Sequence, residues 1–281
     1  VPLVRRRHDG EDPRKDPSVL GVTTPEHLER GYRGRLYKRL DNLAEQLREA
    51  LFPVLNRMKP GLNARADAAD HEWRADGTKS QDVVTLQKAL EGVRLEYGRG
   101  VPDPEQDLQR IQKAVDNHNA TELRKDFQRV ASVDPLMQDP RLQRRKNIFV
   151  TRNLDLIKDV DRQVFDQVNA KLTKAVREGR RHEELIEMFE KRLGVARSRA
   201  KLIARDQVSK FNSDLNRVRQ RNNGITRYKW ITVGDGRVRD EHDILGGTVR
   251  RWGNPHPTEG HPGDAVQCRC IAAGIVANLV A

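Results

Sequence analysis

Leu36, Leu40, Leu43, Leu47 and Leu51 recur at spacings of three and four, the repeat of one face of an α-helix. With Thr24 as cap and Pro25 at a position where its missing N–H costs nothing, the pattern predicts a helix over about 25–51. Pro53, Pro60 and Gly61 are expected to end it. Val83, Leu86, Leu90 and Val93 predict a second helix over about 80–97. Leu108, Ile111 and Val115, followed by Leu123, Phe127 and Val130, predict a third over about 104–130. Pro135, Asp139-Pro140 and the basic group Arg141, Arg144, Arg145 and Lys146 read as a loop and a domain boundary. Beyond it, Leu154, Ile157, Val160, Val164, Val168, Leu172 and Val176 predict a helix over about 153–177, stopped by Gly179. Leu185, Ile186, Phe189 and Leu193 predict a short helix over about 182–193, stopped by Gly194. Ser198 is then read as the cap of a helix to about Asn222, with Leu202, Val208, Phe211, Leu215 and Val218 facing inward. The β-branched and aromatic run Ile225–Val233 predicts a strand, and Ile271–Val276 another.

Narrow apolar stripes between charged flanks bury one side of a helix only. The fold expected is therefore mainly α: an elongated N-terminal helical region, a further helical segment, and a small C-terminal α+β module. The boundaries are a basic flexible arm over 1–24, a helical region over 25–148, and a third part over 149–281 with helices in 153–222 and the module in 225–281. The arm carries Arg5, Arg6 and Arg7 between prolines, with too little apolar surface to fold by itself.

Composition adds a partner to this picture. Of 281 residues, 33% are charged and 36% hydrophobic, so much of the surface is solvated helix or meets something else. A formal charge of +12 favours a polyanionic partner, nucleic acid above all, because lysines and arginines that neutralise phosphates release counterions. The candidate contacts are Arg5, Arg6 and Arg7, together with Arg197, Arg199, Lys201, Arg205, Lys210, Arg217, Arg219 and Arg221 on what is expected to be the outer face of the 198–222 helix and the residues before it. No apolar run approaches membrane-spanning length and no signal-peptide pattern opens the chain, which predicts a soluble product of the cytoplasm. Two cysteines spaced Cys-x-Cys cannot build a disulfide framework and suit a reducing compartment.

The chemistry gathers in the last fifty residues or so. His242, His261, Cys268 and Cys270 are a candidate His2Cys2 zinc set, with Asp235 as an alternative ligand or as a carboxylate orienting an imidazole. The small apolar set Trp230, Ile231, Val233, Ile244, Leu245 and Trp252 argues that a module of this size needs a staple. The opposing reading keeps both histidines in ordinary hydrogen bonds and the thiols as small buried side chains. Arg237, Arg239 and Arg269 are expected to brace turns through carbonyls and carboxylates. No Ser/His/Asp order, phosphate loop or nucleotide fingerprint is present, and Gly77, Lys79 and Ser80 lack the spacing of a phosphate loop. His242 and His261 beside Arg237 and Arg239 nonetheless form a set that could cleave a phosphodiester, so a nuclease or toxin-like nucleic-acid enzyme is the alternative function.

The order Tyr228-Lys229-Trp230, Asp235-x-Arg237-x-Arg239-x-x-His242, Leu245, Gly247, His261-Pro262-Gly263 and Cys268-Arg269-Cys270 resembles the phage Mu F-like family of minor head, or head morphogenesis, proteins. The resemblance spans roughly 150–275 and reaches upstream to Ala204-Arg205, where Asp206-Gln207 stand in place of that family's usual Thr-Glu. It implies a non-catalytic virion protein at the portal vertex or inner capsid. The partners it implies are portal and other capsid proteins and packaged double-stranded DNA.

Overall fold

The computed structural model describes residues 19–67, 77–100, 103–131, 134–135, 139–178, 180–235 and 237–276. Among them are helices α1 (Glu26–Asp67), α2 (Gly77–Gly100), α3 (Pro104–Ala131), α4 (Pro140–Arg177), α5 (His182–Asn222) and α6 (Asp240–Leu245) and strands β1 (Val19–Leu20), β2 (Arg227–Ile231), β3 (Val249–Arg251) and β4 (Ile271–Ile275), with α1 to α5 running consecutively between β1 and β2. The mainly helical fold and small C-terminal antiparallel sheet expected from the pattern are present. No described helix is long and apolar enough to cross a membrane.

Three helices run longer than their local punctuation suggests. In α1 the apolar stripe continues past Pro53 and Pro60 through Val54, Leu55, Met58 and Leu62, all buried. Each interior proline removes a backbone hydrogen bond, at a cost of about 3 kcal/mol, yet burial of the continuing stripe outweighs the break. Gly194 likewise does not stop a helix: Ala196, Ala200, Ile203 and Ala204 carry the buried stripe on, so the two expected helices are one α5. Ser198 does not cap it but donates to the Gly194 carbonyl one turn back, inside the helix. Leu202, expected to face inward, is exposed. The expected loop around 140–146 is the first part of α4, where Pro140 occupies the first helical position and the Asp139 carboxylate accepts the Arg141 N–H at 2.6 Å.

The chain divides into two compact units that interleave along the sequence and cross the boundary expected near residue 148. One comprises Arg33–Pro104 and Leu154–Ile203. In it, Leu36 and Leu40 of α1, Ile157 and Val160 of α4, and Ala200 and Ile203 of α5 close around a gap of about 10 Å³. The adjoining ion pair of Arg39 with Asp161, at 2.8 Å, is partly buried beneath the Tyr97 ring, whose centroid lies 5.2 Å from the guanidinium.

The other unit takes the chain up to Tyr32, Glu105–Asn153 and Ala204–Ala281, and holds the sheet. The strand order is β1-β4-β2-β3, antiparallel throughout, with Trp230 opposite Ala272 and Tyr228 opposite Gly274. Residues 19–24, assigned above to a flexible arm, are part of this unit. Val19 and Leu20 pair with β4, and Leu20 and Val22 enter a core with Leu123, Phe127, Ile225 and Val276. The Gly21 N–H is held by Asp126 at 2.9 Å. Two residues of backbone pairing and two apolar side chains suffice to order a segment whose composition alone suggested none. Arg5, Arg6 and Arg7 lie outside the described residues.

Candidate metal centre

The C-terminal module is clasped to α5 by a polar stripe. Asp206, Ser209, Ser213, Asn216 and Gln220 recur at spacings of three and four on one face of that helix. Asp206 accepts the Gln267 N–H at 2.8 Å, and Ser209 donates to the Cys268 carbonyl at 2.8 Å. Asn216 and Gln220 both donate to the Ala272 carbonyl at 3.1 Å, and Gln220 accepts the Trp252 indole N–H at 3.2 Å. These bonds satisfy the irregular backbone around Cys268–Cys270, which would otherwise be buried without partners. They hold Gln267 in the left-handed region at φ 57°. Asp206, where the resembling family has a different residue, thus acquires a definite structural task.

The core of the module is Tyr228, Trp230, Leu245, Trp252, Cys268, Cys270 and Ala272. Val233 and Ile244, counted toward that core on apolarity alone, are exposed. Helix α6 delivers His242 from beneath Trp230, with the rings edge to face at 5.5 Å. Its Nδ1 lies 3.5 Å from Cys268 Sγ and 3.4 Å from Cys270 Sγ. Its Nε2 lies 2.7 Å from Glu259 Oε2. A tight turn bridged between His256 and Gly260 brings Glu259 to this position.

His242, Cys268 and Cys270 are all buried, and their ligating atoms fall within 4.8 Å of one another. Cys268 Sγ also accepts the N–H groups of Gly263 at 3.3 Å and Cys270 at 3.4 Å. The Cys270 thiol, these two backbone donors and His242 make Cys268 the more acidic sulfur, pulled down to about 6 against the effect of burial. Cys270 is pushed up, by its hydrogen bond to Cys268 and by burial. The two N–H groups aimed at Cys268 Sγ favour the thiolate there over one on Cys270.

Two residues of the sequence-derived set stand elsewhere. His261 is buried with its Nδ1 2.9 Å from the Tyr228 hydroxyl and its ring 5.0 Å from Trp252. Burial lowers its pKa, with Arg217 acting in the same direction, so the neutral ring is favoured. Asp235 is clamped by both terminal nitrogens of Arg269 and accepts the Arg237 N–H at 3.1 Å. The ligand group assembled by the fold is accordingly His242, Cys268 and Cys270, with neither His261 nor Asp235 in it. Arg239 donates to the Val266 carbonyl at 2.5 Å. Glu259 and the α5 stripe are the parts that reasoning from sequence missed. Nothing near Glu259 in sequence signals its pairing, whereas the stripe's spacing was visible.

The Arg269 clamp holds the Asp235 carboxyl down at about 2, below its unfolded value of about 3.9. A carboxylate with a depressed folded-state value adds stability above its unfolded value and loses that contribution as pH falls through the folded one. Asp235→Asn is thus expected to lower the melting temperature at neutral pH, with the gap to the parent closing as pH falls from about 4 toward about 2. Thermal melts of both proteins across that range check it. A gap independent of pH would contradict the ionic origin.

The candidate nucleic-acid residues do not form one basic face. Arg219 is buried against Asp116, which corrects its expected place on the outer surface. Lys210 pairs with Asp206, Arg217 with Asp214, Arg199 with Asp159 and Arg197 with Asp41. Lys201 and Arg221 are exposed, and Arg205 is half-buried. Alternate positions on α5 face the module or neighbouring carboxylates, because the helix is surrounded on more sides than its apolar stripe implies.

Residues 166–273, which contain this site, match the sequence model of the family described as Phage Mu protein F like protein. That stretch of the chain is similar to phage Mu F-like proteins. An uncharacterized protein of Haemophilus influenzae is 31% identical over 143 residues, a match covering 51% of this chain and 32% of that protein. The chain thus spans about a third of the length of that relative. No solved structure matches it.

Proposed function

We propose that the protein is a minor head protein acting in phage head morphogenesis, a non-catalytic component at the portal vertex or inner capsid wall that contacts portal protein and packaged double-stranded DNA. The family match over 166–273 carries this reading. The use of the motif residues supports it. Asp235 and Arg269 form a clamp, Arg239 binds a carbonyl, and His261 binds Tyr228. Gly263 makes room for Ser213. Each of these contacts maintains the shape of the module.

The same geometry disfavours the nuclease alternative. Phosphodiester cleavage by a histidine pair needs one imidazole as base and another as acid, both reaching one bound phosphate. Both ring nitrogens of His242 are engaged, by Cys268 and Cys270 on one side and Glu259 on the other, whereas His261 meets Tyr228 and Trp252, so the two imidazoles do not face one common site. DNA contact rests on the +12 charge and not on a continuous basic stripe of α5. Affinity for DNA should be independent of sequence and fall steeply with salt.

The deciding experiment is cross-linking mass spectrometry on purified heads. Cross-links to portal or inner capsid protein are expected; a chain found only outside the particle would sink the proposal. Incubation of the pure protein with plasmid should leave the DNA intact, and cleavage abolished by His242→Ala would favour the enzyme instead.

A further inference from the structure

The imidazole nitrogen already stands from each of the two sulfurs at the spacing a metal would set, and all three donors are buried. With Zn–S near 2.3 Å and Zn–N near 2.0–2.1 Å at a tetrahedral angle, sulfur and nitrogen ligands lie about 3.5 Å apart. The His242 Nδ1 to sulfur distances are 3.5 and 3.4 Å. Glu259 accepts from Nε2, which fixes the tautomer and leaves the Nδ1 lone pair facing the two sulfurs. N–H groups of Gly263 and Cys270 point at Cys268 Sγ and favour its thiolate form.

The side away from these supports is open. A cavity of about 250 Å³ is bounded by His242, Cys268 and Cys270 and by the arginines 205, 237, 239 and 269. Arg269 and Arg237 share Asp235, but Arg239 bonds only a neutral carbonyl and Arg205 has no ion-pair partner among the described residues. Two thiolates and a neutral imidazole cancel the charge of a divalent ion, so the arginines leave the cavity positive. At about 30 Å³ per water, the space accommodates a small polyatomic anion as well as solvent.

We propose that His242, Cys268 and Cys270 bind one zinc ion whose fourth coordination position opens into the arginine-lined cavity and accepts a small oxyanion. Soft thiolates with an imidazole select zinc over the hard divalent cations. Three protein ligands with one open position define an exchangeable site, whereas a structural site is closed by four. The ion would also tie α6 to the residues just before β4. The proposal is independent of where the protein sits in a particle.

Metal analysis and chelator competition on the full chain test the first half, and cobalt substitution tests the second. One zinc per chain is expected, bound about equally by the parent and by His261→Gln, which keeps a partner for the Tyr228 hydroxyl. Glu259→Gln should weaken binding about 10- to 100-fold. In the cobalt form of the parent, a thiolate-to-metal charge-transfer band is expected, and inorganic phosphate should shift the ligand-field bands. The double variant Arg205→Ala/Arg239→Ala should still bind cobalt but lose the response to phosphate. Absence of metal in the parent would overturn the proposal. So would loss of metal in His261→Gln, which would point to a closed His2Cys2 site, or a parent cobalt spectrum indifferent to phosphate.

Discussion

Gly263→Ala should destabilise the C-terminal unit by about 2–6 kcal/mol, combining backbone strain with overpacking. Gly263 has φ +94°, which L side chains rarely adopt, and a Cβ built there would lie 2.5 Å from Ser213 Cβ and closer still to its hydroxyl. The backbone part costs about 1–3 kcal/mol and the steric part a similar amount. Rotation of Ser213 could relieve the hydroxyl but not its Cβ, which is fixed by α5. The shift would also disturb the Gly263 N–H bond to Cys268 Sγ. The second-site change Ser213→Gly should then recover the steric part and leave the strain. Denaturant midpoints of the single and double variants read both parts. A Gly263→Ala protein within about 0.5 kcal/mol of the parent would contradict the packing described.

Arg219→Ala should cost about 3–5 kcal/mol, the usual consequence of removing one partner from a buried ion pair. The Arg219 side chain is 3% exposed and lies 2.5 Å from Asp116. Its other terminal nitrogen donates to Asn119 at 2.6 Å. Lys146, 2.5 Å from the other Asp116 oxygen, shares the carboxylate and should hold the loss to the lower part of that range. Arg219→Lys is not expected to rescue, because an ammonium cannot span Asp116 and Asn119 as the planar guanidinium does. Chemical denaturation gives the cost, and DNA binding under conditions where the variant is folded should be unchanged. A variant of normal stability with weakened DNA binding would instead restore Arg219 to a surface role.

The same helix shows why part of the site was legible in the sequence and part was not. On α5 the apolar positions Val208, Phe211, Leu215 and Val218 identify one buried face correctly. The polar positions Asp206, Ser209, Ser213, Asn216 and Gln220 repeat just as regularly, but periodicity cannot distinguish a polar face in water from one bonded to an irregular loop. That difference lies in the partners, more than fifty residues further along the chain: the N–H of Gln267 and the carbonyls of Cys268 and Ala272. Cys268 and Cys270 were conspicuous because only two cysteines exist and they sit two apart. His242 and His261 were equally conspicuous, and nothing local separates them. The fold turns His242 toward the sulfurs and His261 toward Tyr228.

The sequence by itself determined the helical class, the buried apolar stripes, the strands β2 and β4, and the region that carries the candidate chemistry. These depend on residue spacing and on side-chain type within a few turns, and both are fully written in the local sequence. Tertiary structure alone decided the length of the helices, the ordering of Leu20 and Val22, the burial of Arg219, and the choice of Glu259 rather than Asp235 as the carboxylate beside His242. A helix passes Pro53 or Gly194 when burial of the next turns exceeds the local cost, and a charge enters the interior when a distant carboxylate meets it. Both outcomes are balances between a local penalty and a long-range contact, and the second quantity exists only once the chain has folded.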